Sequence, residues 1–286
     1  MSISIVTVTY NSSEKIIPLL NTIDMQTGID KLEIIIVDNN SPDVKKLKEI
    51  LSKYTFNNKK YSLVTKYRKK NLGFGCSYNY GASITKYQNI IFLNPDTKMI
   101  KTSISTLLDH AKKNNANICG GKCLQINTKN IHRTIFNEPT INTMLFEYSN
   151  LGKLFRKSGN FYLNQKSIKK DTKVDGVGGA YFLIDKKSFI ELGGFDENIF
   201  MYLEDVDICI RAKKLSLSIV YCPHSTIYHI GGASSNNKYH IAHKAWFDSR
   251  EYYVTKHFSP IVSIPIVIIY KIERILLNIR MKISRV

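Results

Sequence analysis

Long apolar runs are missing from this 286-residue chain; the uninterrupted ones fall well short of the roughly 18 residues a membrane-spanning helix needs. Proline and glycine are scarce, at 7 and 15, which excludes collagen-like and low-complexity architectures. The five cysteines (Cys76, Cys119, Cys123, Cys209 and Cys222) are odd in number and scattered, so no disulfide scaffold is expected and a reducing cytoplasm fits. Cys119 and Cys123 have no second pair at zinc-site spacing, and His240 with His243 has no evident third ligand, so ordinary packing is expected for both. Acid is also short: 23 Asp and Glu face 41 Lys and Arg, a formal charge of +18. Such an excess points to an anionic partner: nucleic acid, a phosphorylated ligand or an acidic membrane surface.

What is present is enough apolar material for a sizeable core, 43% of the chain with 11% aromatic, which excludes a disordered protein. The opening MSISIVTVTY lacks a basic segment followed by an apolar one, so it reads as a first strand (Ile3–Val8) rather than a secretory leader. Asn11 and Glu14 have capping-box spacing ahead of Ile16, Leu20 and Ile23. LEIIIV (32–37) has the continuous apolar character of a strand buried on both faces. Pro42 is placed to open a helix through Leu51. Strands at 61–65, 90–93 and 118–124 alternate with helices at 75–86 and around Ile104, Leu107 and Leu108. This β-α rhythm predicts a parallel sheet with right-handed crossovers and helices on both faces.

The rhythm breaks after Asn127. Residues 127–173 are polar and basic, including Lys153, Arg156, Lys157 and Lys166, and a loop-rich insertion of that length is more often functional than idle. A strand is expected at 180–184, a helix from Glu204, short strands near Ile219 and Ile227, and a helix over 239–256.

Open parallel sheets bind ligands beyond the carboxyl ends of their strands. Three strands here run into polar residues: Thr9-Tyr10-Asn11, Asp38-Asn39-Asn40-Ser41 and Asn94-Pro95-Asp96. Asp38 can accept hydrogen bonds from a base or ribose, or cap the following helix, for which Ser41 is better suited. Asp96 suits a hard cation held by one or two carboxylates plus substrate phosphates. The phosphate-loop alternatives fail: Gly73-Phe74-Gly75 begins a GxGxxG, but Tyr78 takes the third glycine position, and Gly121-Lys122 is followed by Cys123. In Glu204-Asp205-Val206-Asp207, Asp207 pairs with Arg211 at i, i+4. One of the adjacent acids Glu204 and Asp205 is then free to act as a general base.

These residues resemble the family 2 glycosyltransferases of GT-A fold, most closely a rhamnosyltransferase-like bacterial branch. The matching pieces are TVTYN (7–11), IIIVDNNSPD (34–43), KNLGFGCSYNYG (70–81), FLNPD (92–96), GGFDENIFMYLEDVDICIR (193–211) and YHIGGASS (228–235), in family order. The resemblance implies an α/β GT-A domain over 1–257, a Rossmann-like and mostly parallel sheet, with 127–173 as an acceptor-side insertion. It implies that Thr9, Asn11, Asp38, Asn71, Gly73, Asn79, Asn94 and Asp96 line the donor, with Asp38 reading a pyrimidine. Asn94-Pro95-Asp96 would stand in for the family's DxD, leaving Asp96 and His229 to hold Mg²⁺ or Mn²⁺. Asp205 would be the catalytic base, with Glu204 beside it as the second candidate. The implied reaction moves a sugar with inversion from dTDP-rhamnose, or alternatively from a UDP-sugar (GlcNAc, Gal or Galf), to a saccharide or undecaprenyl-diphosphate-linked acceptor.

Residues 258–286 place Ile272, Ile275, Leu276, Ile279 and Ile283 at helical spacing among Lys271, Arg274, Arg280, Lys282 and Arg285, with Glu273 as the single acid. Such a basic amphipathic tail lies on an anionic membrane surface, or else docks on the protein's own core. The expected location is therefore cytoplasmic, peripheral on the inner face of the cytoplasmic membrane. A nucleotidyltransferase would carry a Gly-rich basic loop where TYNSSEK stands. The Lys-rich, Tyr-interleaved stretch 45–70 resembles a single-strand nucleic-acid platform, but no nucleic-acid-binding motif accompanies it, and no nucleic-acid partner is expected.

Overall fold

The computed structural model describes residues 1–126, 128, 130–155, 159–230 and 239–283. Alternating elements build the first half: β1 (Ser2–Thr9), α1 (Ser13–Asp24), β2 (Lys31–Asp38), α2 (Val44–Lys53), β3 (Tyr61–Tyr67), α3 (Phe74–Ser83) and β4 (Asn89–Leu93). Then come β5 (Thr97–Met99), α4 (Ser103–Lys113) and β6 (Ile118–Gln125). The insertion holds β7 (Ile135–Phe136), a π turn (Thr143–Glu147), α5 (Leu151–Phe155) and β8 (Thr172–Lys173). The chain returns through β9 (Gly176–Val177), β10 (Tyr181–Asp185), α6 (Lys186–Glu191), α7 (Glu204–Lys214) and β11 (Ile219–His229), and ends in α8 (Tyr239–His257) and α9 (Pro260–Ile283).

The main sheet runs β3-β2-β1-β4-β10-β6-β11-β5, with β8 paired to β11. β1, β2, β3 and β4 are mutually parallel, as the β-α rhythm predicts. β10 lies antiparallel between β4 and β6, so the sheet is mostly rather than wholly parallel. Strand alternation divides two cores. Ile3, Ile5, Ile34, Ile36 and Ile91 face α1, α2 and α4; Val6, Val8, Ile35, Val37 and Phe92 face α3, α6, α7, α8 and α9. Each fully buried Ile or Val contributes about 1.5–3 kcal/mol before entropy is charged against it, so the central strands are the rigid platform for the loops above them.

Several local expectations are corrected. No side-chain cap closes α1 at its own N-terminus; instead the Ser13 N–H donates to Asp43 Oδ2 at 3.0 Å. Asn11 adopts φ +54°, a left-handed turn incompatible with the extended backbone usual at an N-cap. Pro42 precedes α2 by two residues, in the turn that leads into it. The strands near Ile219 and Ile227 are one strand with a bulge between Cys222 and Thr226. The tail is a single helix despite Pro265. Its inner face buries Ser263, Ile266 and Tyr270, Tyr270 donating to the Met144 carbonyl at 2.9 Å and Arg250 meeting Glu273 at 2.8 Å. Among the described residues no helix is long and apolar enough to cross a membrane.

Candidate active site

The parallel register carries Thr9 beside Asp38 at the ends of β1 and β2. Asp38 is completely buried: Oδ2 accepts from the Thr9 hydroxyl at 3.2 Å and from the Ser41 hydroxyl, and Oδ1 accepts from Ser41 N–H at 3.0 Å. The Ser41 hydroxyl in turn accepts from Asn11 N–H at 3.0 Å. Asp38 is thus the post around which Thr9, Asn11 and Ser41 are arranged.

Asn39 joins this loop to the next. Its amide donates to Asn71 Oδ1 at 2.7 Å and to the Gly73 carbonyl at 3.0 Å, and its oxygen accepts from Leu72 N–H at 3.1 Å. Gly73 sits at φ +89°, where an added Cβ would lie 2.2 Å from the Phe200 carbonyl oxygen. That close approach brings the segment before α7 against α3. Of the expected donor residues, Asn94 and Asp96 line the main cleft and Asn71 and Gly73 an adjoining hollow, whereas Asn79 lines neither. Its side chain hydrogen-bonds Phe195 through both backbone groups and Glu197 Oε1, fastening α3 to the 193–197 turn.

The chemistry-bearing side chains meet in a cleft of about 330 Å³ lined by Asn94, Asp96, His132, Arg133, Gly179, Glu204, Asp205 and His229 among others. Asp96 ends the β4 turn, and His229 ends β11; Oδ1 of Asp96 and Nε2 of His229 are 3.1 Å apart. Burial raises the Asp96 carboxyl, but the His229 hydrogen bond and charge outweigh it and hold the group below its ordinary range. Asn94 completes the corner, its amide 3.4 Å from the same His229 nitrogen and its oxygen accepting from Tyr78 at 3.2 Å.

On the facing wall, α7 begins with Glu204 and Asp205 immediately after Leu203, which is held at φ +68°. Asp205 Oδ2 accepts from Gly179 N–H at 2.7 Å and Oδ1 from Val206 N–H at 2.8 Å. Burial raises Asp205 despite those bonds. Burial raises Glu204, and the neighbouring Asp205 charge adds to it; its Oε2 is buried without a hydrogen-bond partner among the described residues. The arrangement favours an ionised Asp205 beside a protonated Glu204. Asp207 turns away, bound by Arg211, Lys256 and His257, and ties α7 to α8.

Sequence reasoning missed His132, Arg133 and Gly179, which the insertion and its return bring into the cleft. His132 Nε2 lies 3.2 Å from the His229 carbonyl, and burial lowers its pKa. Arg133 also lines an adjoining groove of about 400 Å³ with Glu147, Tyr162 and Gln165. Of the YHIGGASS segment, Gly231–Ser235 lie outside the described residues, as do Arg156 and Lys157 of the insertion.

A mostly parallel sheet with polar and acidic residues gathered beyond its strand ends is the arrangement in which open α/β proteins bind ligands. The family model described as Glycosyl transferase family 2 matches residues 4–193, and the chain belongs to that family. It is 24% identical over 189 residues to rhamnosyltransferase WbbL of Escherichia coli K12, covering 63% of this chain and 64% of that protein. It is 30% identical over 98 residues to the N-acetylglucosaminyl-diphospho-decaprenol L-rhamnosyltransferase of Mycobacterium tuberculosis, covering 34% of this chain and 29% of that one. The chain therefore spans less than two thirds of either relative. The solved structure of GalNAc-T7 with UDP, GalNAc and Mn²⁺ superposes with a TM-score of 0.59 at 17% identity, over 80% of this chain and 44% of that one, which supports a GT-A fold.

Proposed function

We propose that this protein is an inverting glycosyltransferase that transfers a sugar, rhamnose from dTDP-rhamnose being the first choice, to a cell-surface polysaccharide or its lipid-linked precursor. One observation carries the reading: the Asp96–His229 pair and the Glu204–Asp205 pair face one cleft from different elements. The first pair suits a leaving diphosphate and the second an incoming hydroxyl. The rhamnosyltransferase relatives support the sugar, and a UDP-sugar is the alternative donor, since GalNAc-T7 was solved with UDP.

Thr9, Asn11, Asp38, Asn71 and Gly73 form the nucleoside end of the donor site, with Asp38 and Asn39 setting the loop geometry around the base. Asp96 and His229 would hold Mg²⁺ or Mn²⁺; an ionised carboxylate next to an imidazole fits a divalent ion among substrate phosphates. When bound, the ion would supply Lewis-acid stabilisation of the departing diphosphate. Asp205, fixed by two backbone N–H groups, accepts the proton from the acceptor hydroxyl as that oxygen attacks the anomeric carbon. Attack from the face opposite the diphosphate inverts the anomeric configuration. Glu204, protonated, keeps a second negative charge away from the departing anion. The groove beside Arg133 and Tyr162 is the acceptor entrance.

The outer face of α9 exposes Ile264, Ile268, Ile272, Ile275 and Ile279, with Lys271, Arg274 and Arg280 on the same helix. This face is the proposed membrane contact, and its inner face remains docked.

A thermal-shift screen of dTDP-, UDP- and GDP-sugars with Mn²⁺ tests the donor. Stabilisation by dTDP-rhamnose or a UDP-sugar is expected; stabilisation by GDP-sugars alone contradicts the assignment. Full turnover in excess chelator contradicts the metal role given to Asp96.

A further inference from the structure

A second cluster of metal-ligand side chains stands apart from the cleft. β8 and β11 are antiparallel, with Tyr221 opposite Thr172 and Val220 opposite Lys173. That register carries Asp171, the residue before β8, alongside Cys222. Helix α4 packs over the same end of β11 and adds His110 from its last turn. The ligand atoms of His110, Asp171 and Cys222 all lie within 4.8 Å of one another. His110 Nδ1 hydrogen-bonds Asp171 Oδ2, and Asn114 donates to the same oxygen at 2.8 Å. Asp171 Oδ1 is buried with no hydrogen-bond donor in good geometry, although the Cys222 thiol lies against this carboxylate. The bulge after Cys222 contains Pro223 and sets exposed His224 beside the cluster rather than in it, its ring centroid 5.3 Å from that of His110.

We propose that His110, Asp171, Cys222 and His224 bind a zinc ion that clips the far end of the 127–173 insertion and α4 to β11. Two imidazoles, a carboxylate and a thiol are a zinc donor set. Tetrahedral arms of about 2.0–2.3 Å place donor atoms roughly 3.3–3.8 Å apart, so small shifts bring His110, Asp171 and Cys222 onto the ion, and a turn of the exposed His224 side chain supplies the fourth donor. Across the bulge, Cys222 and His229 register with Gly121 and Gln125 of β6, four strand positions or about 13 Å apart at the usual rise. The ion is therefore structural and separate from the transfer reaction. It would bind with loss of the thiol proton and replace the His110–Asp171 hydrogen bond by ligation. The donors come from three distant stretches, around His110, Asp171 and Cys222–His224, which is why no familiar zinc spacing motif announces the site.

The test uses the full chain carrying Asp96→Asn, so that the cleft is disarmed, with zinc counted by mass spectrometry after dialysis and Co²⁺ as a spectroscopic probe. Expected are stoichiometric zinc, a near-ultraviolet thiolate-to-Co²⁺ band, and a melting temperature that falls on chelation. Cys222→Ser should abolish the band. His224→Ala, a change at an exposed position that leaves folding intact, should weaken zinc binding by about tenfold or more. No thiolate band, with the same trace zinc in both variants as in the parent and chelator without effect on melting, would overturn the proposal. The triad would then be an ordinary hydrogen-bonded cluster.

Discussion

Glu204 and Asp205 are adjacent in sequence and nearly alike in chemistry, yet their surroundings separate them. Backbone N–H groups from Gly179 and Val206 stabilise the Asp205 anion, whereas Glu204 has burial and the Asp205 charge against ionisation. A carboxyl whose pKa is raised on folding binds more protons in the native state than in the unfolded one. It therefore subtracts stability as pH rises above the ordinary Glu value of 4.5 toward the raised native value. Glu204→Gln removes that cost. Melting temperatures of the variant and the parent should coincide near pH 4, and the variant should lead by a growing margin up to neutral pH. A variant that melts lower at pH 8 would show that Glu204 is ionised and usefully paired. The acidic pair itself was legible in the sequence because an acid-rich helix start follows an aromatic turn. Its partition into a charged and a neutral member was not, since it depends on Gly179, a residue some 25 positions away whose amide no local pattern marks.

At the scale of elements, the strand-end loops are held by one another more than by any ligand-shaped cavity. Asn39 bridges the loop after β2 to the loop before α3, and Gly73 lets that second loop touch Phe200. Gly73→Ala meets both a positive φ and a backbone oxygen, a combination that costs more than the roughly 1 kcal/mol of a Gly→Ala change at a left-handed position alone. Expected are a clear fall in melting temperature and a raised donor KM, read by nucleotide-sugar titration; an unchanged KM would separate this loop from the donor site. The helix clamp offers a second check. Arg250 and Glu273 are almost wholly buried as a pair, so Glu273→Ala strands the guanidinium and should destabilise by about 3–5 kcal/mol in denaturant unfolding. Loss below about 1 kcal/mol would show that α9 does not depend on this pair. Apolar strands and alternating helices made β1–β4 readable, because parallel strands buried on both faces are continuous Ile and Val runs. β10 was found as a strand, but its antiparallel place between β4 and β6 is a long-range pairing that its five residues do not encode. β5, β7, β8 and β9 are two or three residues long, too short for any periodicity to register.

For the whole molecule, the charge of +18 contrasts with a cleft that gathers the carboxyl groups of Asp96, Glu204 and Asp205 beside Arg133. Of the two expectations for the tail, docking on the core describes one face of α9; membrane contact stands as a proposal for the opposite face, which leaves a row of isoleucines exposed. Their spacing by three and four residues forms a stripe that basic side chains accompany, the arrangement of an interfacial helix. Replacing Ile268, Ile272 and Ile275 together by Ser should release the protein from anionic liposomes without lowering its melting temperature. Unchanged partitioning would assign the stripe another partner. Because the replaced residues are exposed, loss of binding would not be confused with unfolding.

The central claim is that Asp205 takes the acceptor proton in a sugar transfer for which the cleft already holds the donor. Single-turnover transfer and donor titration on Asp205→Asn, alongside Glu204→Gln, measure it most directly. Turnover of Asp205→Asn should fall by about 10²–10⁴-fold with donor affinity preserved, while Glu204→Gln retains far more activity. Near-normal turnover of Asp205→Asn beside an inactive Glu204→Gln would contradict the account and hand the base role to Glu204.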